Sequence, residues 1–244
     1  MRSGNPSLKT EAFENFKNGN TDRTMTIQGT VNKTFILLLL VLVTFVYSWN
    51  QFVTTPNGVL PLILVGSIGG LIVGIITIFV PKISPFTAPI YALLEGLFLG
   101  AVSAQYEVQY GGIVFQAVLI TIGVLFSLLL VYKSGLIKVT QNFRLGVVAA
   151  TGAILLVYVL SFIGGFFGFD IPHLHESTPL GIAISVVIVI IAALNLVLDF
   201  DFIENAAQKK VPKYFEWYGA FGLLVTLVWL YLEVLRLLSK IRSR

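Results

Sequence analysis

Seven long apolar runs alternate with short polar connections along the chain, at about residues 34–49, 58–80, 86–103, 112–132, 145–167, 179–198 and 215–238. A helix needs about 20 apolar residues to cross the hydrocarbon core of a bilayer. The pattern therefore predicts an all-α, polytopic membrane protein with seven transmembrane helices. The connections, such as 50–57 and 81–85, are polar or carry Gly and Pro, and none after residue 32 has the length of a domain. The predicted organisation is a polar N-terminal segment over 1–32, a seven-helix transmembrane domain over 33–240 and a basic tail over 241–244. No strict internal repeat and no low-complexity tract interrupts it.

Composition strengthens this reading. The 244 residues are 56% hydrophobic and 11% charged, with a mean hydropathy of +0.89. Soluble domains carry about 25% charged residues. The sequence has no cysteine, which excludes disulfides, thiolate metal sites and cysteine nucleophiles. Its net charge of +4 suits anionic lipid headgroups, and no nucleic-acid motif is visible. Residues 1–32 hold no signal-peptide apolar region, so the first run is expected to persist as a helix.

Lys and Arg placement orients the bundle. The twelve such residues before Arg236 all fall in the N-terminal segment or in the second, fourth and sixth connections. The N-terminus is accordingly expected in the cytoplasm, the fifth connection outside, and the C-terminus outside after seven crossings. Arg236, Lys240, Arg242 and Arg244 run against that assignment. Gly70–Gly74, Gly96–Gly100 and Gly164–Gly168 have the GxxxG spacing of close helix contacts, which serves packing within one bundle or dimerisation.

Candidate chemistry lies in acids inside or beside apolar runs. Insertion of an ionised acid at the centre of a membrane helix is unfavourable by about 2.5–3.5 kcal/mol, so acids there mark proton or ion pathways. Glu95, Asp199 and Glu233 are such residues, with Asp201 next to Asp199. A rise of about 1.5 Å per residue puts Glu95 and Asp199 each about 15 Å from the cytoplasmic edge, and Glu233 about 27 Å from it. Glu95 and Asp199 are thus expected to share a level and to form a site holding one proton between them, since two close acids in low dielectric do not both ionise easily. The rival reading has each acid separately protonated or bonded to a helix hydroxyl. Asp201 and Glu204 read as a solvated helix end or a vestibule that gathers cations. Glu233 and Arg236, spaced i, i+3, read as a structural ion pair, with an outer gate as the alternative. His173 and His175 form His-x-His in the fifth connection, a weak candidate for zinc or copper against ordinary loop histidines.

No catalytic triad order, HExxH helix or phosphate loop is present, and the chain is not expected to be an enzyme or to hold a resident cofactor. The last span as read contains no lysine, which argues against a retinal Schiff base. Pro81, Pro85 and Pro89 bracket the third span and set a turn, or hinge it beside Glu95.

Four segments resemble the Bax-inhibitor family of transmembrane proteins, in particular its bacterial branch. They are Arg2-Ser-Gly-Asn-Pro-Ser-Leu8, Ala88-Pro-Ile-Tyr-Ala-Leu-Leu-Glu-Gly-Leu-Phe-Leu-Gly-Ala-Val-Ser103, Leu198-Asp-Phe-Asp-Phe-Ile-Glu204 and Trp229-Leu-Tyr-Leu-Glu-Val-Leu-Arg-Leu-Leu238. The resemblance implies six helices around a central seventh and an association with cytoprotection. The best-understood bacterial relative is a pH-sensitive calcium leak, in which aspartates on helices six and seven share a proton and control the pore. Asp199 matches the first of these, where Phe200 and Asp201 replace a Thr-Gln pair. The second falls in Leu224-Val-Thr226, which has no acid, and the family's basic residue of the second helix has no counterpart within 58–80.

The expected function is a pH-sensitive leak for calcium across a bacterial cytoplasmic membrane, gated by protonation of buried carboxylates, with calcium as transported ion. Carboxylate and carbonyl oxygens suit such a hard cation. A proton-coupled secondary transporter, or a non-transporting regulator of other membrane proteins, are the alternatives. Expected partners are membrane lipids, calcium or protons and other membrane proteins, with no nucleic acid.

Overall fold

The computed structural model describes residues 24–55, 58–168 and 176–244. Among these are seven long helices and no β-strand: α1 (Ile27–Thr54), α2 (Leu60–Phe79), α3 (Ser84–Gln109), α4 (Ile113–Lys133), α5 (Gln141–Phe166), α6 (Pro179–Gln208) and α7 (Phe215–Arg242). A single 3-10 turn, Pro81–Ile83, joins α2 to α3. Each helix is long and apolar enough to cross a membrane. The chain is a multi-pass membrane protein.

Local signals set the helix starts. Thr26, Thr140 and Thr178 cap α1, α5 and α6, each hydroxyl accepting from a backbone N–H three residues on. Such caps satisfy donors that a helix start leaves without partners. Proline in the first turn of α2, α3 and α6 fits where no N–H is needed. Pro89 sits inside α3, which runs on through it.

Three boundaries differ from the sequence expectation. The first helix begins at Ile27, within the segment expected to be polar, because Thr26 caps it and Lys33 finds an acid in the bundle. α6 continues ten residues beyond the apolar run that ends at Leu198, carrying Asp199, Asp201 and Glu204 on its last turns. α7 runs to Arg242, into the expected tail, and so does contain a lysine. Lys240 is buried, its ammonium donating to Gly181 O at 3.1 Å and Ser185 Oγ at 2.8 Å. The last span is thus not lysine-free, contrary to the expectation that set a Schiff base aside.

α7 is the central helix. It packs on α1, α3, α4 and α6, and 56% of its most apolar stretch is buried, against 6% for α5. The second helix packs chiefly on α3, and α5 chiefly on α6. One face of α3 is built from small residues, Ala88, Ala92, Gly96, Gly100 and Ser103, all buried. That spacing lets α1 approach to backbone distance. Buried Ser103 and Tyr231 share a hydrogen bond of 2.7 Å between α3 and α7. The core around these contacts is Leu37, Leu99, Leu196, Phe221, Leu224 and Leu230.

Candidate functional site: the carboxylates of the bundle

One end of the bundle collects the starts of α1, α3, α5 and α7 and the ends of α4 and α6. There Glu216, in the first turn of α7, is buried against α1. Its Oε1 accepts from the N–H and hydroxyl of Thr26, both at 3.0 Å, and its Oε2 pairs with Lys33. Met25 N–H donates to Val211 O at 2.8 Å, so the residues before α1 are also fixed to the α6–α7 connection. Ser84 Oγ donates to Tyr214 O at 3.0 Å and adds the start of α3. Sequence reasoning passed over Glu216. The available signal was an acid in a first helical turn, which the helix dipole favours.

Asp201 and Glu204 lie at the same end, and both are engaged. Arg144 Nη2 meets Asp201 Oδ2 at 2.6 Å, and Tyr132 Oη donates to Glu204 Oε2 at 2.6 Å. Two open cavities meet at Asp201. One of about 510 Å³ holds Arg144 and Lys209; one of about 290 Å³ holds Lys133, Lys138 and Glu204. Cations outnumber acids here, so the mouth is poorly suited to gathering cations by charge alone.

Asp199 lies two residues before Asp201 on α6, about 3 Å deeper. The Oδ1 atom lies 4.0 Å from where a β-carbon on Gly222 would be, and the carboxyl interacts with the Thr226 hydroxyl. Oδ2 is buried and has no hydrogen-bond partner among the described residues. The part of α7 that faces Asp199 is thus the stretch where the resemblance expects a second carboxylate. Here it presents a glycine and a hydroxyl.

Glu95 stands on α3 in a groove of about 440 Å³ between α2, α3 and α7. It interacts with the hydroxyl of Tyr91, one turn earlier. Phe221, Val225 and Val228 of α7 line this groove, whereas Gly222 and Thr226 face Asp199. The two acids are therefore at one level, on different faces of the central helix. The expected Glu95–Asp199 pair is not formed. Depth along the membrane normal follows from residue counts; azimuth around α7 does not.

Glu233 is buried toward the other end. Its Oε1 accepts from Tyr158 Oη at 2.8 Å, Trp229 Nε1 at 3.3 Å and Arg236 Nη1 at 3.3 Å. Arg236 also donates to Tyr158 Oη at 2.6 Å and lies 5.0 Å over that ring. Arg242 donates to the carbonyls of Tyr110 and Gly111 and to Gln116 Oε1. With Lys240, three of the four basic residues that run against the charge rule thus have internal partners. His173 and His175 lie outside the described residues. Among the described residues, no three His, Asp or Glu side chains come together to hold a metal ion.

A family model described as "Bax inhibitor 1 like" matches residues 5–243. No curated protein and no solved structure shows a significant match to the chain.

Proposed function

The chain belongs to the Bax inhibitor 1 like family, and from that premise we propose that it is a pH-sensitive cation leak, with calcium as the transported ion, in which protonation of Asp199 controls permeation. The single observation that carries this reading is the Asp199 carboxyl, placed inside the bundle with one oxygen buried and without a hydrogen-bond partner among the described residues. A buried acid is costly to leave ionised without a partner, so it is held protonated or takes a cation as its counter-charge. Its neighbours on the central helix, Gly222 and Thr226, leave room and supply a hydroxyl oxygen. Hard divalent cations accept such oxygen ligands. Glu95, beside different residues of α7, is not assigned to this route.

The proposed setting is the cytoplasmic membrane of a bacterium, with the N-terminus inside. The grouping of Lys33, Lys82, Lys133 and Lys209 at or next to one end of the helices supports it. The partners of Arg236, Lys240 and Arg242 weaken the objection from the last helix, because these charges serve contacts within the protein.

The test is calcium flux from liposomes holding the purified chain, across a pH series. Wild type is expected to show a leak that varies with pH. Asp199→Asn is expected to flatten that variation by at least about threefold. A variant with the wild-type pH profile would remove Asp199 from the mechanism. No flux from folded wild type would favour the second reading, a non-transporting partner of other membrane proteins. That reading has one observation on its side. α5 exposes Gly146, Gly152 and Gly165, each with open space where a side chain would be.

A further inference from the structure

The Glu95 groove has a chemistry of its own. Besides Glu95 its walls offer two hydroxyls and four aromatic rings: Ser67, Tyr91, Phe98, Phe221 and Trp229. No Lys, Arg or His lines it. The Ser67 hydroxyl already donates to Ile63 O at 2.7 Å, so only Tyr91 interacts with the acid. Among the described residues lining the groove, no cation balances the carboxylate. Gly70 and Gly74 keep the α2 wall low. A β-carbon on Gly70 would lie 3.0 Å from Glu95 Oε1, and one on Gly74 would lie 3.4 Å from the Tyr91 ring.

The direction of access decides what can balance the charge. Leu71, Ile75 and Ile78, on the rim of the groove, are all exposed on the bundle's outer surface. In a membrane that surface meets acyl chains. A hydrated metal ion does not travel through hydrocarbon, because losing its water is far too unfavourable. An organic cation whose charge is shielded by apolar groups does. Aromatic faces attract such cations, and quaternary ammonium ligands are recognised in this way. A cavity of about 440 Å³ is in the range that holds small molecules.

We propose that the groove between α2, α3 and α7 is a binding site for hydrophobic organic cations entering from the lipid, with Glu95 as counter-charge and the Tyr91, Phe98, Phe221 and Trp229 rings as the wall. The site is separate from the leak, since Asp199 meets Gly222 and Thr226, which do not line the groove. The ligand keeps its apolar body against the rings and its charge toward the carboxylate, and neither a metal ion nor a neutral molecule of the same shape satisfies both.

The test uses the full chain in nanodiscs of neutral phosphatidylcholine, with tetraphenylphosphonium as probe and empty nanodiscs as the partition control. Saturable binding above that control is expected. Glu95→Gln should weaken it about tenfold, equivalent to about 1.4 kcal/mol, and Gly74→Leu should weaken it by filling the groove. Triphenylphosphine oxide, neutral and similar in shape, should not displace the probe. Asp199→Asn should bind the probe like wild type, so failure of the proposed leak mechanism and failure of this site are told apart. Thermal melting of each variant checks folding, and the competition experiment in wild type needs no variant at all. Absence of saturable binding, unchanged binding in folded Glu95→Gln, or displacement by the neutral compound would each overturn the proposal.

Discussion

A β-carbon on Gly29 would lie 2.2 Å from Oε1 of Glu216, well inside van der Waals contact. The Glu216 carboxylate therefore lies in space that a side chain at position 29 would take. Glu216 uses that room to reach Lys33 and the two donors of Thr26. Gly29→Ala has to push the carboxylate out of a site where its side chain is 2% exposed. Hydrogen bonds to a charged group contribute about 1.5–3 kcal/mol each. Losing one of the three is expected to lower stability by about 2 kcal/mol. Thermal unfolding in detergent reads this directly. A melting temperature equal to wild type would show that Glu216 relocates at no cost.

The same reasoning ranks the glycines of α3 against those of α5. On Gly100 a β-carbon would lie 2.2 Å from Phe45 O, and on Gly96 2.3 Å from Val41 O, both backbone atoms of α1. Backbone cannot rotate aside as a side chain can, so Gly100→Ala must part the two helices. Overpacking of this kind costs about 1–3 kcal/mol. Gly152 on α5 has open space instead, and Gly152→Ala should be neutral or slightly stabilising, because alanine favours a helix by about 1 kcal/mol over glycine. Equal melting temperatures for Gly100→Ala and Gly152→Ala would refute this ranking.

Much of the architecture was legible because its signals are local. Seven apolar runs give seven helices, and the GxxxG spacing at Gly96–Gly100 marks a close contact whose partner, α1, the sequence does not name. The i, i+3 spacing of Glu233 and Arg236 places two side chains within reach whatever the fold does. What stayed hidden is long-range. Thr26, Lys33 and Glu216 are drawn together from opposite ends of the chain, and no periodicity announces that. Asp201 meeting Arg144 depends on how α5 leans on α6. Glu95 and Asp199 share a depth, which residue counts reveal, but they meet different residues of α7, whose rotation is set by packing. The polar end of α6, read from the sequence as a solvated helix end, is instead held by neighbours. Its last turns are polar, yet the helix continues because Tyr132 and Arg144 supply partners for the acids there.

Two ion pairs of similar appearance should differ in energy, and the difference tests how burial weights a charge contact. At Arg144–Asp201 the guanidinium side chain is 57% exposed, whereas Glu233 is 2% exposed beside Arg236 at 32%. Exposed pairs contribute about 0–1 kcal/mol, since water competes for both partners. Arg144→Ala is accordingly expected to leave the melting temperature almost unchanged. Glu233 is linked to Tyr158 and Trp229 as well as Arg236, and none of these bonds is easily replaced by water. Glu233→Ala should cost about 2–4 kcal/mol, through the lost pair and the donors left without an acceptor. Tyr158→Phe keeps the acid and the arginine but removes the hydroxyl that bridges them, and should cost about 1 kcal/mol. In a double-mutant cycle Glu233→Ala and Tyr158→Phe should be non-additive, because both act on one network. Additive costs would mean that the Tyr158 bond contributes nothing to holding Glu233. A loss on Arg144→Ala as large as that on Glu233→Ala would show that exposure does not set the ranking.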